Sequence, residues 1–266
     1  MPRVVIGVPV YNEERFIAAT VQSVLSQLDD YSDLEVFISD NGSSDNSVRE
    51  IEATLDSFGG RSSVIRLSEQ ATNRGVWFNF WHVFEATDSE YFLWMGAHDQ
   101  ISKCYVSHGM ELLERSPEIA MFCGKHQAIT PDCQIMEQAV EYDFSHPNPA
   151  ERYLRSIASL GNCYILQSIF RRSVLEGLDY EMEVPSFDHV IISRMLWSGR
   201  LSQSPECSDL RLYFKGENRQ EKAQSGRYVN ANNNIQFFEA YLADLEKLAM
   251  DLPSNVRNAL VHQASA

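Results

Sequence analysis

An alternation in the first hundred residues constrains the fold of this chain most. Short β-branched or aromatic runs at 4–8, 34–39, 63–67 and 90–95 take turns with stretches of helical apolar spacing. Residues 13–28 carry Ile17, Val21, Val24, Leu25 and Leu28, residues 45–58 carry Val48, Ile51 and Leu55, and residues 75–86 read as a third helix. Repeated strand and helix predict a largely parallel sheet covered on both faces. Ligands of such sheets bind in the crevice beyond the carboxyl ends of the strands. Polar clusters fall at those ends here.

The first cluster is Pro9-Val10-Tyr11-Asn12-Glu13. Pro9 fixes the backbone, Tyr11 offers a flat face for a base, and Asn12 is placed to cap the following helix, with Glu13 and Glu14 complementing its dipole. The second is Ser39-Asp40-Asn41-Gly42-Ser43-Ser44-Asp45. There Asp40 can accept from a base N–H or a sugar hydroxyl, Asn41-Gly42 turns the chain, and Ser44 is the expected cap. The third, Asn73-Arg74-Gly75, puts a cation at the same edge, suited to a base or phosphate. Trp77 and Trp81, at i and i+4, read as core packing ahead of a sugar platform. The fourth is His98-Asp99, after the apolar run 91–95. A departing diphosphate needs its charge neutralised, and a cation held by a carboxylate and phosphate oxygens does this. The fifth is Ser186-Phe187-Asp188 at a helix start, where Asp188 is either a base for an acceptor hydroxyl or a carboxylate that favours the helix dipole.

Beyond Asp99 the pattern becomes mixed. Helices are expected at 105–115, 150–160, 187–198 and 235–250, strands at 119–123, 163–170 and 210–214, irregular or antiparallel strands over 126–142, and polar connections at 202–209 and 215–234. The chain thus reads as one continuous α/β domain over 1–230, with a nucleotide-binding half at 1–124, an acceptor half at 125–230 and a helical tail at 231–266. With 44% hydrophobic residues it is ordinary globular protein, and its net charge of -15 argues against nucleic acid as a partner. Five scattered Cys without a CxxC pair predict free thiols in a reducing cytoplasm. No targeting or membrane-spanning segment is expected, which leaves peripheral contact at the inner face of a membrane through a lipid-linked substrate. The basic stretch with Lys215, Arg219, Lys222 and Arg227 is expected to close over a diphosphate.

The ordered set of motifs resembles the family 2 glycosyltransferases. It comprises Val8-Pro9-Val10-Tyr11-Asn12-Glu13, Ser39 to Asp45, Asn73-Arg74-Gly75 with Asn79, Ala97-His98-Asp99, Phe170-Arg171-Arg172 with Val174-Leu175, and Asp188 with Arg194 and Gly199, over residues 3–200. The resemblance implies a GT-A fold, a nucleotide-sugar donor (usually a uridine-type one), a saccharide or lipid-linked acceptor, a Mn²⁺ or Mg²⁺ ion and an inverting displacement. It implies that Pro9, Tyr11, Asp40 and Arg74 hold the base, that Glu13 lies near base and ribose, that Asp99 ligates the metal and that Asp188 deprotonates the acceptor. Two positions depart from the family pattern. His98 stands where an Asp is usual, and could bond the ribose or ligate the metal. Phe187 replaces the acidic neighbour of Asp188. Both favour the alternative of a non-catalytic nucleotide-sugar-binding protein. A dehydrogenase lacks its GxGxxG, and a nucleotidyltransferase lacks a Gly-rich basic loop after the first strand.

Overall fold

The computed structural model describes residues 2–59, 64–130, 132, 134–159, 163–176, 178, 187–212 and 231–265. Strands β1 (Val4–Val10), β2 (Leu34–Asp40), β3 (Ile65–Glu69) and β4 (Tyr91–Trp94) pair in parallel, in the order β3-β2-β1-β4. Helices α1 (Ile17–Leu25), α2 (Ser47–Phe58) and α3 (Val76–Glu85) connect them. The sheet continues through β5 (Gln100–Ile101), β6 (Ile119–Ile129), β7 (Ile135–Val140), β8 (Ile169–Arg171) and β9 (Arg200–Leu212), in the order β4-β8-β6-β9-β5 with β7 beside β6. β8 runs antiparallel to β4 and to β6, and β5 antiparallel to β9. Helices α4 (Tyr105–Arg115), α5 (Pro149–Ser159), α6 (Phe187–Ser198), α7 (Ala231–Leu248) and α8 (Ser254–Ser265) complete the described elements.

The unbroken apolar runs of β1 and β4 follow from burial on both faces. On one face Val4, Ile6, Val8, Val10, Leu93 and Met95 pack with Ile17, Val21 and Val24 of α1, Ile51 of α2 and Met110 and Leu113 of α4. The other face is aromatic. The Trp94 ring stacks on Phe80 at 4.4 Å and on Phe170 at 5.2 Å, and the buried Trp81 meets it edge-on at 5.6 Å. Trp77 lies edge-on to Trp81 at 5.7 Å, so this pair serves packing.

The chain groups into two compact units. The first is Met1–Tyr142, Gln167–Ser173 and Ser202–Tyr213; the second is Asp143–Leu166, Val174–Leu201 and Phe214–Ala266. The second is helical. The Tyr153 hydroxyl donates to the Tyr241 carbonyl at 3.1 Å, Ser156 and Ser193 share a bond of 2.6 Å, and Ser193 meets the Tyr241 hydroxyl at 3.0 Å. Arg194 pairs with Asp244 at 2.5 Å, and Arg152 donates to the Leu196 and Trp197 carbonyls at the end of α6. Helices α7 and α8 of the expected tail belong to this unit. Among the described residues no helix is long and apolar enough to cross a membrane.

The elements differ from expectation most at 202–209. This stretch is the body of β9, not a linker. Its polar atoms find partners within the fold: Ser208 N–H donates to the Ser102 hydroxyl at 2.9 Å, and Asp209 pairs with His126. Hydropathy cannot register a strand stabilised in this way. Residues 163–170, expected as strand, hold a short 3₁₀ turn at Tyr164–Gln167 before β8.

Gly7 is fixed by close approach. A Cβ there would lie 2.5 Å from Phe92 Cζ and 2.9 Å from Val83 Cγ2, both in the packed interior of the aromatic face. Overpacking of this kind costs about 1–3 kcal/mol. Gly7→Ala should lower the free energy of unfolding by that amount in urea denaturation; an unchanged midpoint would show that Phe92 and Val83 yield freely.

Candidate active site

The ends of β1 and β2 build the first wall of the site. Asn12 takes a left-handed conformation (φ 55°), which Asn tolerates better than most residues. Its N–H donates to the Ser43 hydroxyl at 2.9 Å, and its side-chain oxygen accepts the Ser44 N–H at 2.8 Å. Glu13 N–H donates to the Ser47 hydroxyl at 2.7 Å, and Glu14 accepts the Asn46 N–H at 3.0 Å. The two turns therefore brace each other. This replaces both expected caps. α1 begins only at Ile17 with no side-chain cap, so Asn12 lies too far away to serve it, and α2 begins at Ser47, whose N–H is taken by Asp45 at 2.9 Å rather than by Ser44. Gly42 permits the second turn. Its φ is +69°, and a Cβ there would sit 2.6 Å from the Thr72 backbone.

Asp40, buried at this junction, forms the second wall. One carboxylate oxygen accepts the Ser43 N–H at 2.9 Å; the other is buried and has no hydrogen-bond partner within the described protein. A buried acceptor left in this state carries a desolvation cost that a ligand N–H or O–H removes. Asn41 fixes the third wall. It donates to Asn73 Oδ1 and to the Gly75 carbonyl, both at 2.9 Å, and accepts the Arg74 N–H at 3.0 Å. The buried Asn79 donates to the carbonyls of Val10 and Ser39, tying α3 to both strand ends. Arg74 is exposed, with its guanidinium 3.4 Å from the centroid of Phe78. Tyr11 is 43% exposed, as a stacking face requires, and Pro9 is half-buried one residue inside the strand end.

The fourth wall is the 96–99 turn. His98 Nδ1 lies 2.9 Å from Glu13 Oε1. Burial opposes the imidazolium, but the hydrogen bond to Glu13 and the charges of Asp99 and Glu13 outweigh it and raise the His98 pKa. Asp99 is turned inward. One oxygen accepts from Gln167 Nε2 at 2.6 Å and Arg211 Nη1 at 2.7 Å, and the other from the Leu212 N–H at 2.9 Å. Only a glycine at 96 permits this, because a Cβ there would lie 2.4 Å from the carboxylate. Burial pushes the Asp99 pKa up, yet Arg211, His98 and the two hydrogen bonds bring it below the ordinary range. Arg211 is also attracted by Asp209, which pairs in turn with the buried His126.

The residues of this turn do not fit the divalent ion that the resemblance implies. Both Asp99 oxygens already face donors, one of them cationic, so a divalent ion at this carboxylate would compete with Arg211 and with the Gln167 and Leu212 hydrogen bonds. Arg211, Gln167, Asp209 and His126 were not foreseen from sequence. The one available signal was a charge inside the strand-like 210–214 run.

Asp188 belongs to the second unit, at the first turn of α6. It is half-buried, and its Oδ1 accepts the His189 N–H at 3.1 Å. Phe187 beside it is 4% exposed, which makes it a packing anchor rather than a surface group. The basic stretch at 215–227 and Ser186 lie outside the described residues.

Parallel strands β1 to β4, covered on both faces and carrying polar turns that brace each other at their carboxyl ends, define an open α/β scaffold. The chain belongs to glycosyl transferase family 2, whose family model matches residues 5–179, and it is a glycosyltransferase of GT-A fold. Among solved structures it is similar to S. aureus TarS 1-349 in complex with UDP, with TM-score 0.70 and 15% identity over 99% of this chain and 70% of that one. The same TarS fragment with UDP-GlcNAc gives TM-score 0.66 at 16% identity over 99% and 71%. A mannosyltransferase from Pyrobaculum calidifontis, in complex with GDP-Man and Mn²⁺, gives 0.59 at 17% identity over 99% and 79%. No curated protein matches the sequence.

Two outcomes follow from the 96–99 turn. Removing one partner of a buried ion pair costs about 3–5 kcal/mol. Asp99→Asn and Arg211→Met should each destabilise the protein by about that much in chemical denaturation, and the double variant by less than their sum. Strict additivity would show that the two groups do not support each other. A raised His98 pKa adds stability that is complete below about pH 6.5, the unfolded value, and is lost as pH rises through the folded value. Melting temperature should therefore fall over that interval more steeply in the wild type than in Glu13→Gln. Parallel curves would remove the Glu13–His98 coupling.

Proposed function

We propose that this protein transfers a sugar from a nucleoside-diphosphate donor of the uridine type to a hydroxyl of a saccharide or lipid-linked acceptor, with inversion, in polysaccharide synthesis at the cytoplasmic side of a membrane. The observation that carries the donor half is the unpartnered, buried oxygen of Asp40, held between turns that brace each other. It is suited to a base N–H, with Tyr11 as stacking face and Pro9 and Arg74 at its sides. The nucleotides in the similar structures support a nucleotide-sugar as ligand. Glu13 and His98 act as a coupled pair toward the ribose and diphosphate, with Glu13 favouring the imidazolium form of His98. Asp99 anchors the turn. No step is assigned to a divalent ion.

Asp188 is the base. In an inverting displacement the acceptor oxygen attacks the anomeric carbon opposite the leaving diphosphate, and its proton passes to a carboxylate on the acceptor side. Such a base contributes about 10²–10⁴-fold to rate. The inward Asp99 favours a second reading, a protein that binds nucleotide-sugars without turnover.

One paired experiment separates these readings. Asp40→Asn should weaken UDP binding in calorimetry by about 10- to 100-fold, the weight of a charge-assisted hydrogen bond. Asp188→Asn should leave UDP affinity unchanged and cut transfer, or slow donor hydrolysis in the absence of acceptor, by the range given above. Binding of UDP-sugars by the wild type with no transfer or hydrolysis would establish the second reading. Equal UDP affinity in Asp40→Asn would overturn the donor site.

A further inference from the structure

The second unit carries a donor set of which the proposed transfer uses Asp188 alone. The ligating atoms of Cys163, Asp188 and His189 all lie within 4.8 Å of one another, and among the described residues this is the one group of three or more His, Cys, Asp or Glu donors with that geometry. All three side chains are half-buried, with access from solvent. We propose that Cys163, Asp188 and His189 form a binding site for zinc, and that zinc bound there silences Asp188 as a base.

The ligand chemistry selects the ion. A thiolate and an imidazole favour Zn²⁺ over Mg²⁺, Mn²⁺ and Ca²⁺, which prefer oxygen donors. Zinc bonds of about 2.0–2.3 Å in a tetrahedral set place donors about 3.3–3.8 Å apart. The three groups therefore need to close by only about 1 Å, within the reach of side-chain rotation. Three protein ligands leave a fourth position for water. On binding, the Cys163 thiol forms a sulfur–zinc bond and its proton goes to solvent, so no electron transfer is involved.

The surroundings hold two of the ligands in place. The backbone behind His189 is fixed because Ser193 Oγ donates to the His189 carbonyl at 2.8 Å, and Ser193 in turn meets the Tyr241 hydroxyl at 3.0 Å. Val190 and Phe187 are buried on either side of the ligand pair, which anchors the first turn of α6. Tyr241 lies close enough to feel the set: burial raises its pKa, and the charges of Cys163 and Asp188 raise it further.

Zinc on Asp188 occupies the lone pair that would take the acceptor proton. This consequence rests on Asp188 being the base; the binding does not. The test uses the full chain stripped of metal with a chelator. Zn²⁺ is titrated by calorimetry into the wild type, Cys163→Ser and His189→Gln, with folding of each checked by circular dichroism. One equivalent should bind the wild type, at least about tenfold more weakly in each variant that folds, and an excess of Mg²⁺ should not compete. Co²⁺ should give a thiolate charge-transfer band in the wild type that Cys163→Ser lacks. Absence of saturable zinc binding, or equal binding in the variants, overturns the site. In the transfer assay zinc should inhibit the wild type, and the inhibiting concentration should rise in the variants, each referred to its own zinc-free rate. Zinc that binds at these residues and leaves transfer unaffected overturns the silencing and, with it, the assignment of Asp188 as base, while the metal site stands.

Discussion

The first unit of this protein depends on one guanidinium. Arg211 sits between Asp99 and Asp209, and its charge is the reason that two carboxylates can be buried at one end of the sheet. The attraction to Asp99 keeps that carboxylate ionised against a strong desolvation penalty. Asp209 is less well compensated: burial pushes its pKa up even though His126 and Arg211 pull the other way. Breaking a buried arrangement of this kind is costly because it strands a charge, while forming it adds modest net stability. Its value is therefore positional. It brings β9, which lies more than a hundred residues further along the chain, to the turn that follows β4.

That positioning explains why the first hundred residues do not complete the site alone. Gln167 and Leu212 also hold Asp99, and both come from segments that join the first unit late in the sequence. The turns after β1 and β2, in contrast, are self-sufficient. Asn12, Glu13 and Glu14 exchange hydrogen bonds with Ser43, Ser44, Asn46 and Ser47, so both loops are organised before any ligand arrives. Preorganisation lowers the ordering cost of binding. It also leaves Asp40 with an oxygen that no described residue satisfies.

The sequence made the covered sheet legible because burial on both faces writes itself as apolar runs. β1, β2 and β4 lie where Val4 to Val8, Leu34 to Ser39 and Tyr91 to Met95 predict them, and α4 and α6 coincide with their expected stretches. The body of β9 before residue 210 was hidden because its polar residues are satisfied by distant partners, and hydropathy reports only residues that need none. The inward direction of Asp99 was hidden for a related reason. Its position after a strand identifies the carboxyl edge of the sheet, but whether a carboxylate there faces ligand or interior depends on Arg211, which is remote in sequence, and the space left by the nearby Gly96 gains its meaning only from that partner. The caps failed because mutual bracing of two turns competes with capping for the same side-chain oxygens, and tertiary contact won.

The second unit shows the same physics applied to a helix start. A carboxylate at the first turn of a helix is favoured by the dipole whether or not it does chemistry. What distinguishes Asp188 is the effort elsewhere in the unit to hold that turn. Phe187 buries where the family carries an acid, the Ser156–Ser193–Tyr241 network backs the next turn, and Arg194 is fixed on a third side by Asp244 of α7 and by the Val174 and Glu176 carbonyls. A helix anchored on several sides by buried polar contacts is over-determined for stability alone, since apolar packing of the same volume would serve as well. Over-determination is what a group needs when its position must be held to a fraction of an ångström. Phe187 then has a physical reading. It is a buried wedge that anchors the first turn of α6, on which Asp188 stands.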